Sequence, residues 1–358
     1  MVGHAGDLAG VHRDPPRRGA GVIRRARPTL RGAVAVVNQP PPLPPAHGRG
    51  GTFVSRALVA TLALGTFGAL AWADATGFKG APPAWWLMPL ALTLALGSAA
   101  EAARLCTARG MPVRRWLVQI ATLCIVLAPA VGTQAFATHG AGPAPVGAMG
   151  WAAVACGTAL GSMFLAEIAG YSRGGGSIDR LAAGFLIATA IGLPVAFMVG
   201  LRLVGAENLG PQAKGPGRAG LLPLVSLVAV VKAGDVAAYV VGSLLGRHRM
   251  APRLSPGKTW EGAAASLLAA LAASWFVVEY WDAAPWRPWG GWPVFGIVVG
   301  LCGTAGDLAE SLVKRESGAK DSGRSLGGLG GFLDLVDSPL FAAPVAWLLW
   351  VLGRWPAG

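Results

Sequence analysis

Between Gly306 and Ser338 the chain gathers acids, bases and glycines in a density found nowhere else along it. Asp307, Glu310, Ser311 and Lys314 stand at i, i+3, i+4 and i+7, which is one face of a helix. Arg315, Lys320 and Asp321 follow, and then Asp334, Asp337 and Ser338. Asp307, Asp321, Asp334 and Asp337 bring four carboxylates within 31 residues. Such hard oxygen donors suit Mg²⁺, which is commonly shared between carboxylates and substrate phosphates. The glycines between them, Gly327, Gly328, Gly330 and Gly331, let backbone approach a ligand closely and turn amides toward phosphate. A blander account stands beside this one. Asp307 and Glu310 could simply pair with Lys314, Asp337 or Ser338 could cap a last helix ahead of Pro339, and the glycines could form a flexible loop.

A second polar group lies upstream. Lys232 and Asp235 sit one turn apart inside an apolar run that continues to Tyr239, either as a neutralising pair or as part of a site. Leu254-Ser255-Pro256-Gly257-Lys258-Thr259-Trp260-Glu261-Gly262 then follows. Its Gly-Lys-Thr core is superficially that of a phosphate loop, but the G-x-x-x-x-G-K spacing is absent and no parallel strand is expected before it.

The elements that must position these groups are membrane helices. Hydrophobic residues make up 53% of the 358-residue chain and charged residues 13%, against about 25% charged in soluble domains. Apolar windows of about 20 residues, the length that crosses a bilayer, recur from residue 53 onward. The expected fold is all-α and polytopic, with about nine spans near 53–73, 84–104, 116–138, 145–170, 181–203, 220–246, 262–281, 292–313 and 336–353. Residues 1–51 hold eight arginines, two acids and a proline run, and read as a disordered basic tail. Residues 52–219 then form N-terminal transmembrane helices and 220–358 a C-terminal transmembrane catalytic region. The tail has no signal-peptide core, so the first span is expected to remain as an anchor.

Basic residues set the orientation. Arg104, Arg109, Arg114 and Arg115 follow the second span, Arg173 and Arg180 the fourth, Arg247, Arg249, Arg253 and Lys258 the sixth, and Lys314, Arg315, Lys320 and Arg324 the eighth. The alternate loops are poorer, except the one after the fifth span, to which Arg202, Lys214 and Arg218 are assigned. The N-terminus is therefore expected in the cytoplasm, and both polar groups with it, in the cell (inner) membrane. The net charge of +13 is explained by this pattern, and no nucleic-acid recognition motif accompanies it. Cys106, Cys124, Cys156 and Cys302 show no metal spacing and only His139 and His248 lie beyond the tail, which excludes a histidine-rich zinc site. Missing internal repeats weaken a transporter reading, although Lys232, Asp235 and Glu167 inside spans keep it in play.

At these residues the sequence resembles the phosphatidate cytidylyltransferase (CDP-diacylglycerol synthase) family, whose signature runs S-x-x-K-R-x4-K-D-x-G, then a Pro-Gly-His-Gly-Gly loop, then Asp-Arg-x-Asp-Ser. Ser311, Lys314, Arg315, Lys320, Asp321, Gly323, Gly330, Gly331, Asp334, Asp337 and Ser338 match it. Asp235 with Ala238-Tyr239, and Ser255-Pro256 with Lys258 to Gly262, also look like family segments, so the likeness covers roughly residues 220–345. Leu329 stands at the family's His, Leu335 at its Arg, Gly327 at its Pro and Gly257 at one of two lysines. The resemblance implies transfer of the cytidylyl group of CTP to a bilayer phosphatidate. It implies Mg²⁺, as two ions, on Asp307 and Asp334 with Asp337, catalytic Lys258, Lys314, Lys320 and Asp321, and substrate-binding Asp235, Ser255, Thr259, Ser311, Arg315, Gly330 and Gly331. A CDP-archaeol-type synthase, a polyprenol kinase and an inactive relative remain alternatives, and a homodimer is one assembly the reading admits.

Overall fold

The computed structural model describes residues 53–138, 146–171, 175–207, 218–280, 287–318 and 331–353. The basic tail, Lys320, Asp321, Gly330 and Leu329 lie outside them. The described residues form nine helices in chain order: α1 (Phe53–Thr76), α2 (Met88–Ala108), α3 (Arg115–Thr138), α4 (Gly147–Ala169), α5 (Ser177–Glu207), α6 (Leu222–Leu245), α7 (Trp260–Ser274), α8 (Gly291–Glu316) and α9 (Phe332–Leu352). A π-helical turn, Trp275–Tyr280, extends α7. Among the described residues, eight helices, α2 to α9, are long and apolar enough to cross a membrane, and α1 adds a further 24-residue helix. The polytopic all-α architecture expected from hydropathy is therefore present.

Hydropathy located the helices better than their ends. The helix α8 runs to Glu316, past the apolar window, because Lys314, Arg315 and Glu316 are competent helix formers. α9 starts at Phe332 rather than near 336, so Asp337 and Ser338 are interior residues and the capping role considered for them is excluded. Pro339 and Pro344 sit inside α9. A helical proline lacks the N–H that would bond the carbonyl four residues earlier, so each needs another donor or a tolerated vacancy. The one departure from all-α structure is a small antiparallel hairpin, β1 (Arg249–Ala251) with β2 (Ser255–Thr259). No parallel strand precedes Lys258 in it, in line with the sequence reading.

Two hydrophobic cores result. One is built by α2, α3, α4 and α5 around Ala95, Ala99, Val118, Ile125, Ala188 and Ala196. The other joins α1, α6, α7 and α8 around Leu227, Val230, Ala270, Phe295 and Val299. α9 belongs to both: Leu333, Val336 and Leu340 enter the first, and Ala342, Ala343, Ala346 and Trp350 the second. Lipid tails are as apolar as these side chains, so close backbone approach rather than hydrophobicity holds such helices together. Gly306 shows how close: a Cβ there would lie 2.6 Å from the Asp337 carbonyl oxygen. Any larger residue at 306 would force the two acid-bearing helices α8 and α9 apart.

Candidate active site

The hairpin is fixed by its own backbone. The Trp260 N–H bonds the His248 carbonyl at 2.9 Å, and Glu261 accepts from the His248 N–H at 3.2 Å. Thr259 caps α7, its Oγ1 accepting from the Gly262 N–H at 3.2 Å. Arg315 ties the end of α8 to the same hairpin through the Leu254 carbonyl at 3.2 Å. So anchored, Lys258 projects from the end of β2 and places its Nζ 2.9 Å from Asp307 Oδ2 on α8.

α9 begins in an equally defined way. The Gly331 N–H donates to Asp334 Oδ2 at 2.9 Å, satisfying one of the orphan amides of a helix start. Asp334 Oδ1 lies 2.7 Å from Lys314 Nζ, which also lies 2.8 Å from Glu310 Oε1. The pairing expected within α8 is thus half right: Lys314 holds Glu310 but reaches across to Asp334, while Asp307 faces Lys258. On α6, Lys232 Nζ lies 3.1 Å from Asp235 Oδ2 and donates to the Leu335 carbonyl at 3.2 Å. That carbonyl is the one Pro339 leaves without a helical donor. Ser338 Oγ completes the link, donating to Asp235 Oδ1 at 3.3 Å.

These groups surround a cavity of about 550 Å³, within the range of small-molecule sites. α6, β2, α7, α8 and α9 all contribute to its wall. Among the residues singled out from the sequence, Asp235, Ser255, Lys258, Thr259, Asp307, Asp334 and Asp337 line it. Lys314 stands behind its wall, holding two lining carboxylates. Ser311 and Arg315 are not among the lining residues, and Gly331 is buried at the start of α9.

Carboxylate oxygens of Asp307, Glu310 and Asp337 lie within 4.8 Å of one another. Glu310 Oε1 is buried and lies 2.8 Å from the Lys314 ammonium, so it already faces positive charge. The donor set fits a hard divalent ion. Glu310 carried no ligand role in the sequence reading, and Lys232 was left open between counter-ion and site residue. Their signals were present, Glu310 on the polar face of α8 and Lys232 one turn from Asp235, but spacing alone could not separate a ligand from a counter-ion.

A phosphatidate cytidylyltransferase from Brucella suis is 47% identical over 131 residues, which cover 36% of this chain and 47% of that protein. Those from Mycobacterium leprae and Mycobacterium tuberculosis (strain H37Rv) are 44% and 41% identical over 126 residues, 35% of this chain and 39% and 37% of theirs. The aligned part spans about half the length, or less, of the curated relatives it matches. A model of the cytidylyltransferase family matches residues 54–352, from the first helix to the end of the last, and on that extent of match the chain belongs to the cytidylyltransferase family.

Proposed function

We propose that this protein transfers the cytidylyl group of CTP to phosphatidate, giving CDP-diacylglycerol and pyrophosphate. The observation that carries the proposal is the convergence of two polar groups, far apart in sequence, on one cavity at the ends of membrane helices. The activity for which the relatives are named agrees with it.

A phosphatidate oxygen would attack the α-phosphorus of CTP. The bond from that phosphorus to the oxygen bridging the β-phosphate breaks, and pyrophosphate departs with its electron pair. Phosphate is already a competent nucleophile, so the protein's main work is positioning and charge stabilisation. Asp307, Glu310 and Asp337 would hold divalent metal, Mg²⁺ in the cell, with Asp334 at the adjoining Lys314 position. Bound there, the ion would neutralise phosphate charge. Lys258 supplies a cationic group at the cavity wall and Lys314 one behind it, and Lys320 and Asp321 join them by the resemblance. Asp235, Ser255 and Thr259 line the same space as substrate contacts, and the resemblance assigns substrate binding to Ser311, Arg315, Gly330 and Gly331 as well. The basic loops favour the cytoplasmic side of the cell membrane, where CTP is, for this end of the bundle.

Leu335, at the family's Arg position, does not leave this place without a cation. Its side chain packs in the first core, and its carbonyl is held by Lys232, which itself lines the cavity. This favours an active enzyme over an inactive relative. The test is turnover by the purified protein with CTP, Mg²⁺ and either phosphatidate, an archaeal ether-lipid phosphate or a polyprenol. CDP-diacylglycerol formation abolished by chelation is expected; product from only one of the other lipids, or from none, would overturn the proposal.

A further inference from the structure

Glu101 lies on α2, in the N-terminal half, and its side chain is completely buried. Its Oε2 accepts a hydrogen bond at 3.0 Å from the Leu333 N–H, 232 residues later in the chain. Leu333 is the second residue of α9, so this is an orphan amide of the helix start, and a carboxylate there is favoured by the helix dipole. The first turn of α9 therefore has two carboxylate clamps: Asp334 holds the Gly331 N–H from within, and Glu101 holds the Leu333 N–H from outside. One turn earlier on α2, Gly97 makes room for the neighbouring Phe332, whose ring would lie 2.5 Å from any Cβ at that position.

From this geometry we propose that Glu101 is a positioning residue of the active site: by fixing where α9 begins, it places Asp334 and Asp337 against Asp307 and Glu310. It touches neither the cavity nor the reacting groups. The carboxylates of α9 project from the helix whose start it holds, and a rotation or slip of that start would move both relative to α8. Arg104, with its Nη2 3.6 Å from Glu101 Oε1, balances the buried charge from the exposed side. The inference rests on the cytidylyltransferase reading of the site, but it is tested by metal binding as well as by turnover, so the two can fail separately.

The experiment compares Glu101→Gln, Glu101→Ala and Gly97→Ala in detergent-purified protein, titrated with Mn²⁺ by electron paramagnetic resonance and assayed for turnover. The Gln side chain keeps an acceptor for the Leu333 N–H, so its Mn²⁺ affinity and turnover are expected within about threefold of wild type. Glu101→Ala and Gly97→Ala, which respectively release and displace the start of α9, are expected to weaken Mn²⁺ binding and lower turnover by about 10–100-fold, the usual effect of losing support behind a metal ligand. Equal Mn²⁺ affinity in all folded variants would overturn the inference, whatever the turnover. So would a folded Gln variant beside Ala variants that do not fold at all, which would make Glu101 a stabilising residue and nothing more. A wild type that binds Mn²⁺ but makes no product would overturn the proposed function while leaving this test intact.

Discussion

Two ion-pair systems in this molecule use the same residue types to opposite ends. Near the start of α6, Arg202 and Asp74 are buried to 1% and 0% exposure. Arg202 Nε meets Asp74 Oδ2 at 2.5 Å, its Nη1 donates to the Gly220 carbonyl and its Nη2 to that of Asp74, while the Trp86 N–H donates to Asp74 Oδ1. Roughly 20 Å further along α6 by helical rise, Lys232 and Asp235 are 39% and 35% exposed and open on the cavity. In the first system the polar atoms are turned inward on protein partners. In the second, acids and bases of four elements, α6, β2, α8 and α9, leave atoms facing the cavity. Burial and saturation make a staple; partial exposure around a void makes a site.

The largest expected effect comes from breaking the second system at its acids. Asp307→Asn or Asp334→Asn removes charge but little volume, so membrane insertion and thermal stability should be retained. Turnover should fall by at least about 100-fold, beyond the 10–100-fold typical of residues that merely support a ligand. The measurement is CDP-diacylglycerol formation per mole of folded protein, and near-normal rates in both variants would remove these residues from the chemistry.

The first system should break in stability instead. Arg202→Met leaves Asp74 buried and uncompensated, which costs about 3–5 kcal/mol, whereas the double change with Asp74→Asn should recover most of it. Thermal denaturation in detergent reads this out. Turnover per folded molecule should stay near wild type in the double variant, and a loss there would mean that the staple also shapes the site.

The contrast was only partly legible in the sequence. Helix positions were, because windows of about 20 apolar residues admit few other structures in a bilayer. The acids that gather at the cavity were so in part: Asp307, Asp334 and Asp337 stand out around a glycine-rich stretch, whereas Glu310, on the same face as Asp307, carried no ligand role. Arg202 was misread as a loop residue that resisted the charge pattern; it lies inside α5 with its charge matched by Asp74, a partner 128 residues away. Glu101 was passed over for the same reason. Its partner is a backbone amide, which has no signature in a sequence, and the pairing exists only because α9 returns to pack on α2. The hairpin escaped because three- and five-residue strands leave no periodicity to count.

Lys232 sharpens the boundary between the two systems, since it is both a counter-ion and a cavity residue. Lys232→Met should lower turnover by about tenfold. The change leaves the Leu335 carbonyl without the hydrogen bond that Pro339 made necessary and removes a charge from the cavity, an interaction worth about 1.5–3 kcal/mol when one partner is ionised. If Lys232 were only a staple, melting temperature would fall and the rate per folded molecule would not.

The smallest perturbation tests where the two systems lie in the membrane. Single cysteines at Gly257 and Glu316, in a background with the four free native cysteines replaced, should react with a membrane-impermeant maleimide only from the cytoplasmic side. A cysteine at Lys79, three residues beyond the end of α1, should react only from the other. The reasoning is a count of crossings. Between Gly257 and Glu316 the chain passes through α7 and α8, an even number, and between Lys79 and Gly257 through α2 to α6, an odd one. The contact of Lys258 with Asp307 requires the first two positions to share a side, whatever the orientation of the whole. Which side that is depends on the arginines and lysines crowding the loops at that end. Labelling of Lys79 from the same side as Gly257 would mean that one helix between them does not cross. The buried pair and the cavity would then lie at the same membrane surface, and the division between staple and site could not be one of depth.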